Sequence, residues 1–328
     1  MTGSGRPPVG RFAPSPTGDL HLGSALALVG AWASARSRGG RFVWRVEDLD
    51  GPRAVAGAAE RQIEDARWLG VDWDEGPDPD APDRDLGARG PYRQSRRGDA
   101  YEAALARLAD AGRLFPCRRS RKDLQALATA PHGASGLPPY PARWRPAPLG
   151  DGWLDALGER PDCALRFRVD DPPVTFDDRV VGRVTEDVRE TVGDVVLRRR
   201  DGAYAYQLAV VVDDLAHGVT EVVRGQDLLD STARQILLIR ALGGTPPAYA
   251  HLPLLVNEAG EKLSKRDAVP TVRGLRERGV EPEAVVGWLA HALGQSESRA
   301  PMAAAELARR WDWARVRTGP VVARDVSV

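Results

Sequence analysis

Two hydrophobic periods alternate along the start of this chain. Val9 to Phe12 is a short strand-like run that ends in Pro14-Ser15-Pro16-Thr17-Gly18, where two prolines and a glycine stop regular structure and set a turn. From His21 to about Arg38, Leu22, Ala25, Leu26, Val29 and Trp32 recur at helical spacing, and Gly39-Gly40 closes the pattern. Arg41 to Glu47 then alternates, which predicts a strand with Phe42, Trp44 and Val46 on one face. Strand, loop, helix and strand in succession predict a βαβ unit of a parallel sheet.

The same reading predicts helices over 55–69 and 99–111, and a Pro-, Asp- and Gly-rich loop over 76–91. Periodicity weakens over 118–161, where prolines gather, and an irregular insertion is expected. Strands are expected over 165–169, 180–184, 194–199 and 219–223. Tyr206 to Asp214 stays open: its valines favour a strand, its setting a helix. Asp230 is expected to cap a helix ending near Leu242, before Gly243-Gly244. His251 to Val256 reads as a last apolar strand, and two short helices are expected after Pro270.

Composition narrows the class. Apolar residues make up 42% of the 328, enough for a buried core. No apolar run reaches about 18 residues, so no membrane span is expected. Met1 to Pro8 has no apolar signal-like segment, and Cys117 and Cys163 form no CxxC, which together fit a reduced, cytoplasmic protein. Lys plus Arg equals Asp plus Glu, 46 each, so there is no global attraction to nucleic acid. A local patch needs only a few cations. Arg118, Arg119, Arg121, Lys122, Arg143 and Arg145 cluster in the insertion, and Arg198, Arg199 and Arg200 follow. Each group is either an RNA-phosphate contact or a solvated face.

Two motifs carry the chemistry. The first, Arg11 to Ser24 (RFAPSPTGDLHLGS), joins a strand end to a helix start, where free N–H groups and the helix dipole attract phosphate. Gly23 allows a flat group such as adenine to approach the backbone, and His21 can donate to a phosphate oxygen. The second, Lys262-Leu263-Ser264-Lys265-Arg266, can fold over a triphosphate, with lysine as a mobile point charge for pyrophosphate. Read alone, HLG is a tight turn opening a helix and KxxK a solvated loop.

Together they resemble the class I aminoacyl-tRNA synthetases, HLGS standing for the HIGH signature and KLSKR for the KMSKS signature. RVEDLD (Arg45 to Asp50), AYQLAVVVDD (Ala205 to Asp214) and VVRGQDLL (Val222 to Leu229) are similar to the glutamyl branch. The resemblance implies an α/β fold: a Rossmann-type doubly wound parallel sheet with an inserted subdomain and a short helical C-terminal region. The expected division is 9–110 and 191–270 for the two catalytic halves, 111–190 for the insertion and 271–328 for the helical end, with no anticodon-binding domain. It also implies site residues. Catalysis falls to His21, Gly23 and Lys265. Arg11 and Arg224 face the carboxylates of L-glutamate, Glu47 its ammonium, and Ser15 and Tyr206 add hydrogen bonds. His21, Gly23, Ser24, Lys262, Ser264 and Lys265 hold ATP, with Mg²⁺ on the phosphates.

A full glutamyl-tRNA synthetase continues well past the second motif, and residues 267–328 are too few for its anticodon-reading domain. The chain therefore resembles the shortened paralogues of that branch. These imply transfer of glutamate to queuosine in the anticodon of tRNA(Asp), with no membrane and no DNA as partner. A shortened enzyme charging a tRNA 3′ end, a nucleotidyltransferase that stops at the adenylate, and a catalytically silent RNA-binding paralogue remain open. The family often carries zinc in the insertion, on three cysteines and a tyrosine. Here only Cys117 and Tyr140 remain, with Arg119 and Trp144 at the other two positions, so no zinc is expected.

Overall fold

In the computed structural model, which describes residues 6–126, 138–147, 149–158, 162–261 and 270–323, the first elements are strand, helix and strand. Strands β1 (Val9–Phe12) and β2 (Arg41–Trp44) pair in parallel, Val9 opposite Arg41 through Phe12 opposite Trp44. Helix α1 (Leu22–Arg36) makes the crossover that parallel strands require. Phe42, Val43 and Trp44 are all buried, so β2 is covered on both faces and the expected one-sided alternation is replaced by a continuous apolar run. α1 is buried nearly all round, because the C-terminal helices Val272–Glu277, Pro282–Ala292 and Ala304–Arg310 share its core; three helices stand there, not two.

The second half repeats the theme. Residues 206–217 resolve as helix α2 (Tyr206–His217), closed by Gly218 in the left-handed region. Its valines lie among the buried residues of a helix packed on both sides, so packing overrides their strand preference. Strand β3 (Glu221–Gly225) pairs in parallel with β4 (Ala248–Leu252). The intervening helix, Thr232–Ala241, takes Ser231 as its N-cap; Asp230 lies in the preceding tight turn. β3 lies beside β1: Thr220 N–H donates to Val9 O at 3.0 Å, and Arg11 Nη1 to Val223 O at 3.1 Å. The chain leaves β1 toward β2 on one side and leaves β3 toward β4 on the other. A crevice opens at such a reversal, at the carboxyl ends of the strands.

Residues 76–86 form an antiparallel hairpin, not a loop. Asp78 accepts the Asp80 N–H at 2.9 Å across its turn, and Trp44 N–H donates to Glu75 O at 2.8 Å, tying it to β2. Strands Leu114–Cys117 and Ala164–Phe167 of the insertion make an antiparallel sheet with Val195–Arg198, which lies beyond the expected end of the insertion at 190. A second hairpin, Val174–Asp178 with Gly182–Glu186, reaches β4 through Asp178 opposite Tyr249. Val321–Val322 pairs with Leu255–Val256, the strand that leads toward the second motif. No helix among the described residues is long and apolar enough to cross a membrane.

Candidate active site

The loop after β1 is held in place from below. Arg45 N–H donates to Phe12 O and Glu47 N–H to Pro14 O, both at 3.0 Å, so β2 runs on alongside it. Buried Gln62 donates to Ser15 O at 3.2 Å and Gly18 O at 2.7 Å. Gly18 has φ of 148°, a conformation that side chains resist. Ser15 is exposed at the bend.

His21 is the N-cap of α1. Its Nδ1 accepts the Ser24 N–H at 3.2 Å, so the proton lies on Nε2, 3.0 Å from Ser24 Oγ. A Cβ on residue 23 would sit 3.1 Å from that Nδ1 and 3.2 Å from Cε1, so Gly23 leaves room for the ring over the helix start. His21, Gly23 and Ser24 thus form one exposed or half-buried group at a positive helix end. Lys262, Ser264 and Lys265 lie outside the described residues. The chain beyond them returns to the first motif: Thr271 is bridged to His21, and Val272 N–H donates to Leu20 O at 2.8 Å.

Beside this helix start, the ends of β1, β2 and β3 and the face of α2 bring together four predicted residues: Arg11, Glu47, Tyr206 and Arg224. Arg45, which is fully buried, donates to Asp214 Oδ1 at 2.6 Å and Glu47 Oε1 at 2.9 Å, and its Nε lies 3.6 Å from Asp213 Oδ2. Burial opposes its charge, but those three carboxylates hold its pKa well above the ordinary value. Arg11 fares differently. Burial, with Arg224 and Arg45 nearby, lowers its pKa, and Asp214 at 3.7 Å only partly offsets this. Its buried Nε has no hydrogen-bond partner among the described residues. A buried cation so poorly compensated favours an incoming anion.

Burial raises the pKa of Glu47, with Arg45 pulling the other way. Tyr206 opens α2 and is 37% exposed, yet burial of its phenol and then the charge of Glu47 raise its pKa. Arg224 is already engaged: Nε donates to His251 Nε2 (3.0 Å), Nη1 to Gln235 Oε1 (2.8 Å), and Nη2 to Thr232 Oγ1 (2.8 Å) and Leu228 O (3.2 Å). Among the described residues, four of its five N–H groups are used, which leaves one on Nη1 for a ligand. The pocket can therefore take a small molecule with carboxylate and ammonium groups next to a phosphate-binding helix end.

Sequence reasoning singled out neither Arg45, Asp213 and Asp214 nor His251 and Asp178. The first three lie within the RVEDLD and AYQLAVVVDD strings and could have been found there; His251 heads an apolar strand, and Asp178 carries no signal.

In the insertion, Cys117 Sγ lies 3.2 Å from Tyr140 Oη, which also donates to Trp144 O at 3.3 Å. Arg119 stacks over Trp144 at 5.0 Å, and Tyr140 meets Trp144 edge-on at 5.6 Å. The two residues at the family's remaining zinc positions thus contact each other as a cation–π pair. Among the basic residues, Arg145 is held by Asp170 and Asp194, Arg198 by Glu102, Arg199 by Asp201 and Arg200 by Asp162. Arg118, Arg121, Lys122 and Arg143 are exposed and have no acidic partner among the described residues.

A model of the family described as tRNA synthetases class I (E and Q), catalytic domain, matches residues 9–324. The chain is 48% identical over 314 residues to the glutamyl-Q tRNA(Asp) synthetase of Symbiobacterium thermophilum, covering 95% of this chain and 94% of that one. It is 44% identical to the enzyme of the same name from Nitratidesulfovibrio vulgaris, with the same coverage. A crystal structure of glutamate-tRNA synthetase from Elizabethkingia anophelis superposes with a TM-score of 0.81 at 28% identity, covering 97% of this chain and 68% of that one.

Proposed function

Because the chain belongs to the class I tRNA synthetases of the E and Q branch, and within it to the glutamyl-Q tRNA(Asp) synthetase family, we propose that it activates L-glutamate with ATP and transfers the glutamyl group to queuosine in the anticodon of tRNA(Asp). The observation that carries this reading is the buried, under-compensated Arg11 beside Glu47 and Tyr206, next to the His21–Ser24 helix start.

In this reading Arg11 and the free Nη1 hydrogen of Arg224 meet the carboxylates, and Glu47 takes the ammonium. Ser15 and the Tyr206 phenol complete the hydrogen bonds. The helix start at His21, Gly23 and Ser24 binds ATP phosphate. An α-carboxylate oxygen then attacks the α-phosphorus, the bond to the β-phosphate oxygen breaks, and pyrophosphate leaves. Lys262, Ser264 and Lys265 are assigned to the leaving pyrophosphate from sequence alone. In the second step a hydroxyl oxygen of the queuosine cyclopentene diol attacks the glutamyl carbonyl carbon, its proton is lost, and AMP departs.

Among the described residues no three His, Cys, Asp or Glu side chains converge as a metal cage. Mg²⁺ therefore fits as part of the Mg–ATP substrate, held mainly by phosphates, where it would neutralise their charge. The catalytic halves 9–110 and 191–270 would carry activation and the insertion 111–190 would approach the RNA, in the cytoplasm where charged tRNA is made.

The test is incubation with labelled glutamate, ATP and tRNA(Asp) with and without queuosine. Label is expected only on the modified tRNA, within the anticodon. Label at a 3′ end, or pyrophosphate exchange with no RNA product, overturns the assignment.

A further inference from the structure

Arg224 sits on β3, and the pair behind its Nε edge comes from two other parts of the chain. His251 lies on the neighbouring strand β4. Asp178 ends the strand Val174–Asp178 that abuts β4. Asp178 Oδ1 accepts the N–H groups of Val180 (2.9 Å), Val181 (2.9 Å) and His251 (3.2 Å), while Oδ2 lies 2.7 Å from His251 Nδ1. Asp178 and His251 are both buried.

An ionised carboxylate can only accept, so the imidazole proton belongs on Nδ1 and Nε2 keeps its lone pair. That lone pair faces the Nε–H of Arg224 at 3.0 Å and lies 3.2 Å from Thr232 Oγ1. A protonated His251 would set an N–H and a positive charge against the guanidinium. Burial lowers the pKa of His251, and although burial also disfavours the charge of Asp178, hydrogen bonds from His251, Val181 and Val180 hold its pKa down at about 2. Around the fork, Gln235 Nε2 donates to Gln207 Oε1 at 2.9 Å, which turns Gln235 Oε1 toward Arg224.

We propose that Asp178 and His251 are a positioning pair for glutamate binding: Asp178 selects the His251 tautomer, and His251 fixes the Nε edge of Arg224 so that its one uncommitted Nη1 hydrogen meets a substrate carboxylate. This rests on the reading that Arg224 binds glutamate. Neither residue touches the reacting atoms. They act through Arg224, and they favour glutamate over glutamine because a fixed guanidinium edge offers donors only.

Asp178→Asn is the informative variant. An amide N–H facing Nδ1 would move the imidazole proton to Nε2 and set donor against donor at Arg224, as in other Asp-to-Asn changes behind a functional histidine. Glutamate-dependent ATP–pyrophosphate exchange on the full chain would give KM for glutamate and ATP separately, with glutamine as competitor. D178N and His251→Leu are expected to raise the glutamate KM by about tenfold or more and to weaken discrimination against glutamine, with the ATP KM unchanged within about twofold. His251→Gln, whose amide oxygen can accept from Arg224 Nε, is expected to stay within about threefold of the parent. If D178N does not fold, the contrast between H251L and H251Q decides. Equal rises in both KM values, or H251Q as impaired as H251L, overturn the proposal. Arg224→Leu separates the two levels. If it leaves the glutamate KM unchanged, the glutamate-binding reading of Arg224 fails and the positioning role with it. If it raises that KM while D178N and H251L do not, only the positioning role fails.

Discussion

Arg11 and Arg224 carry the same charge, reach the same pocket and are equally buried, but they differ in what is left to offer. Arg224 is spent on neighbours, whereas Arg11 has one carbonyl partner and a distant carboxylate. Glu47 is the complementary case, an anion whose one ion-pair partner among the described residues, Arg45, is shared with Asp213 and Asp214. Glu47→Gln therefore leaves Arg45 paired and removes only the charge that would meet an ammonium. Its kcat/KM for glutamate in pyrophosphate exchange is expected to fall about a hundredfold, roughly 3 kcal/mol, with the ATP KM nearly unchanged. An unaltered glutamate KM would show that the ammonium lies elsewhere. That Arg11, Glu47, Tyr206 and Arg224 share one pocket could be anticipated from the chain because those residues stand in recognisable strings. Asp178 could not, since its side-chain partner, His251, lies 73 positions away and leaves no local spacing to detect.

At the scale of elements, the first βαβ unit was legible because helix and strand periods changed at clear turn residues. The 76–86 hairpin was not: its Pro, Asp and Gly content argues for loop, and pairing to β2 through Glu75 and Trp44 decides otherwise. Two contacts between elements lead to measurable consequences. Asp65, on the helix Ala58–Trp68, faces Arg273 of the C-terminal helix Val272–Glu277 at 3.5 Å, yet neither carboxylate oxygen has a hydrogen-bond partner among the described residues. Burial pushes its pKa up to about 6, with Arg273 pulling the other way. The folded protein thus holds this proton more tightly than the unfolded chain. The stability that Asp65 contributes is full below pH 4 and is lost as pH rises through about 6. Asp65→Asn should stabilise the protein at pH 7 to 8 by about 1 kcal/mol, allowing for screening by water, and the gain should vanish near pH 4. Urea melts at the two pH values check this; a gain independent of pH would place the cause outside the carboxylate. In the insertion, Arg119→Ala should cost about 0.5–1 kcal/mol for the lost cation–π contact, and Trp144→Ala more, because it also strips the edge contact to Tyr140. Proteolysis of the insertion should accelerate in that order, with glutamate activation retained.

For the whole molecule, equal numbers of acidic and basic residues give no long-range pull on RNA, so any affinity must come from uneven placement. Many arginines in the structure are balanced by a nearby acid, whereas Arg118, Arg121, Lys122 and Arg143 are exposed cations without one among the described residues and gather in one insertion. Of the four, Arg143 also lines a 560 Å³ cavity, with Tyr140, Arg145 and Asp170. If the four cations meet phosphates of an RNA loop, each releases counterions on binding. Replacing all four with glutamine should then raise the KM for tRNA and flatten its dependence on log salt by up to about three units, at about 0.7 per contact for single strands. If activation takes place without RNA in the crevice at the ends of β1, β2 and β3, as proposed above, glutamate-dependent pyrophosphate exchange should stay within about twofold. That separation is the deciding readout. A parallel loss of exchange would mean that the insertion had unfolded, and an unchanged salt slope would mean that these side chains are only solvated. A flattened slope with intact exchange would place RNA recognition on the insertion and activation in the crevice of the same chain.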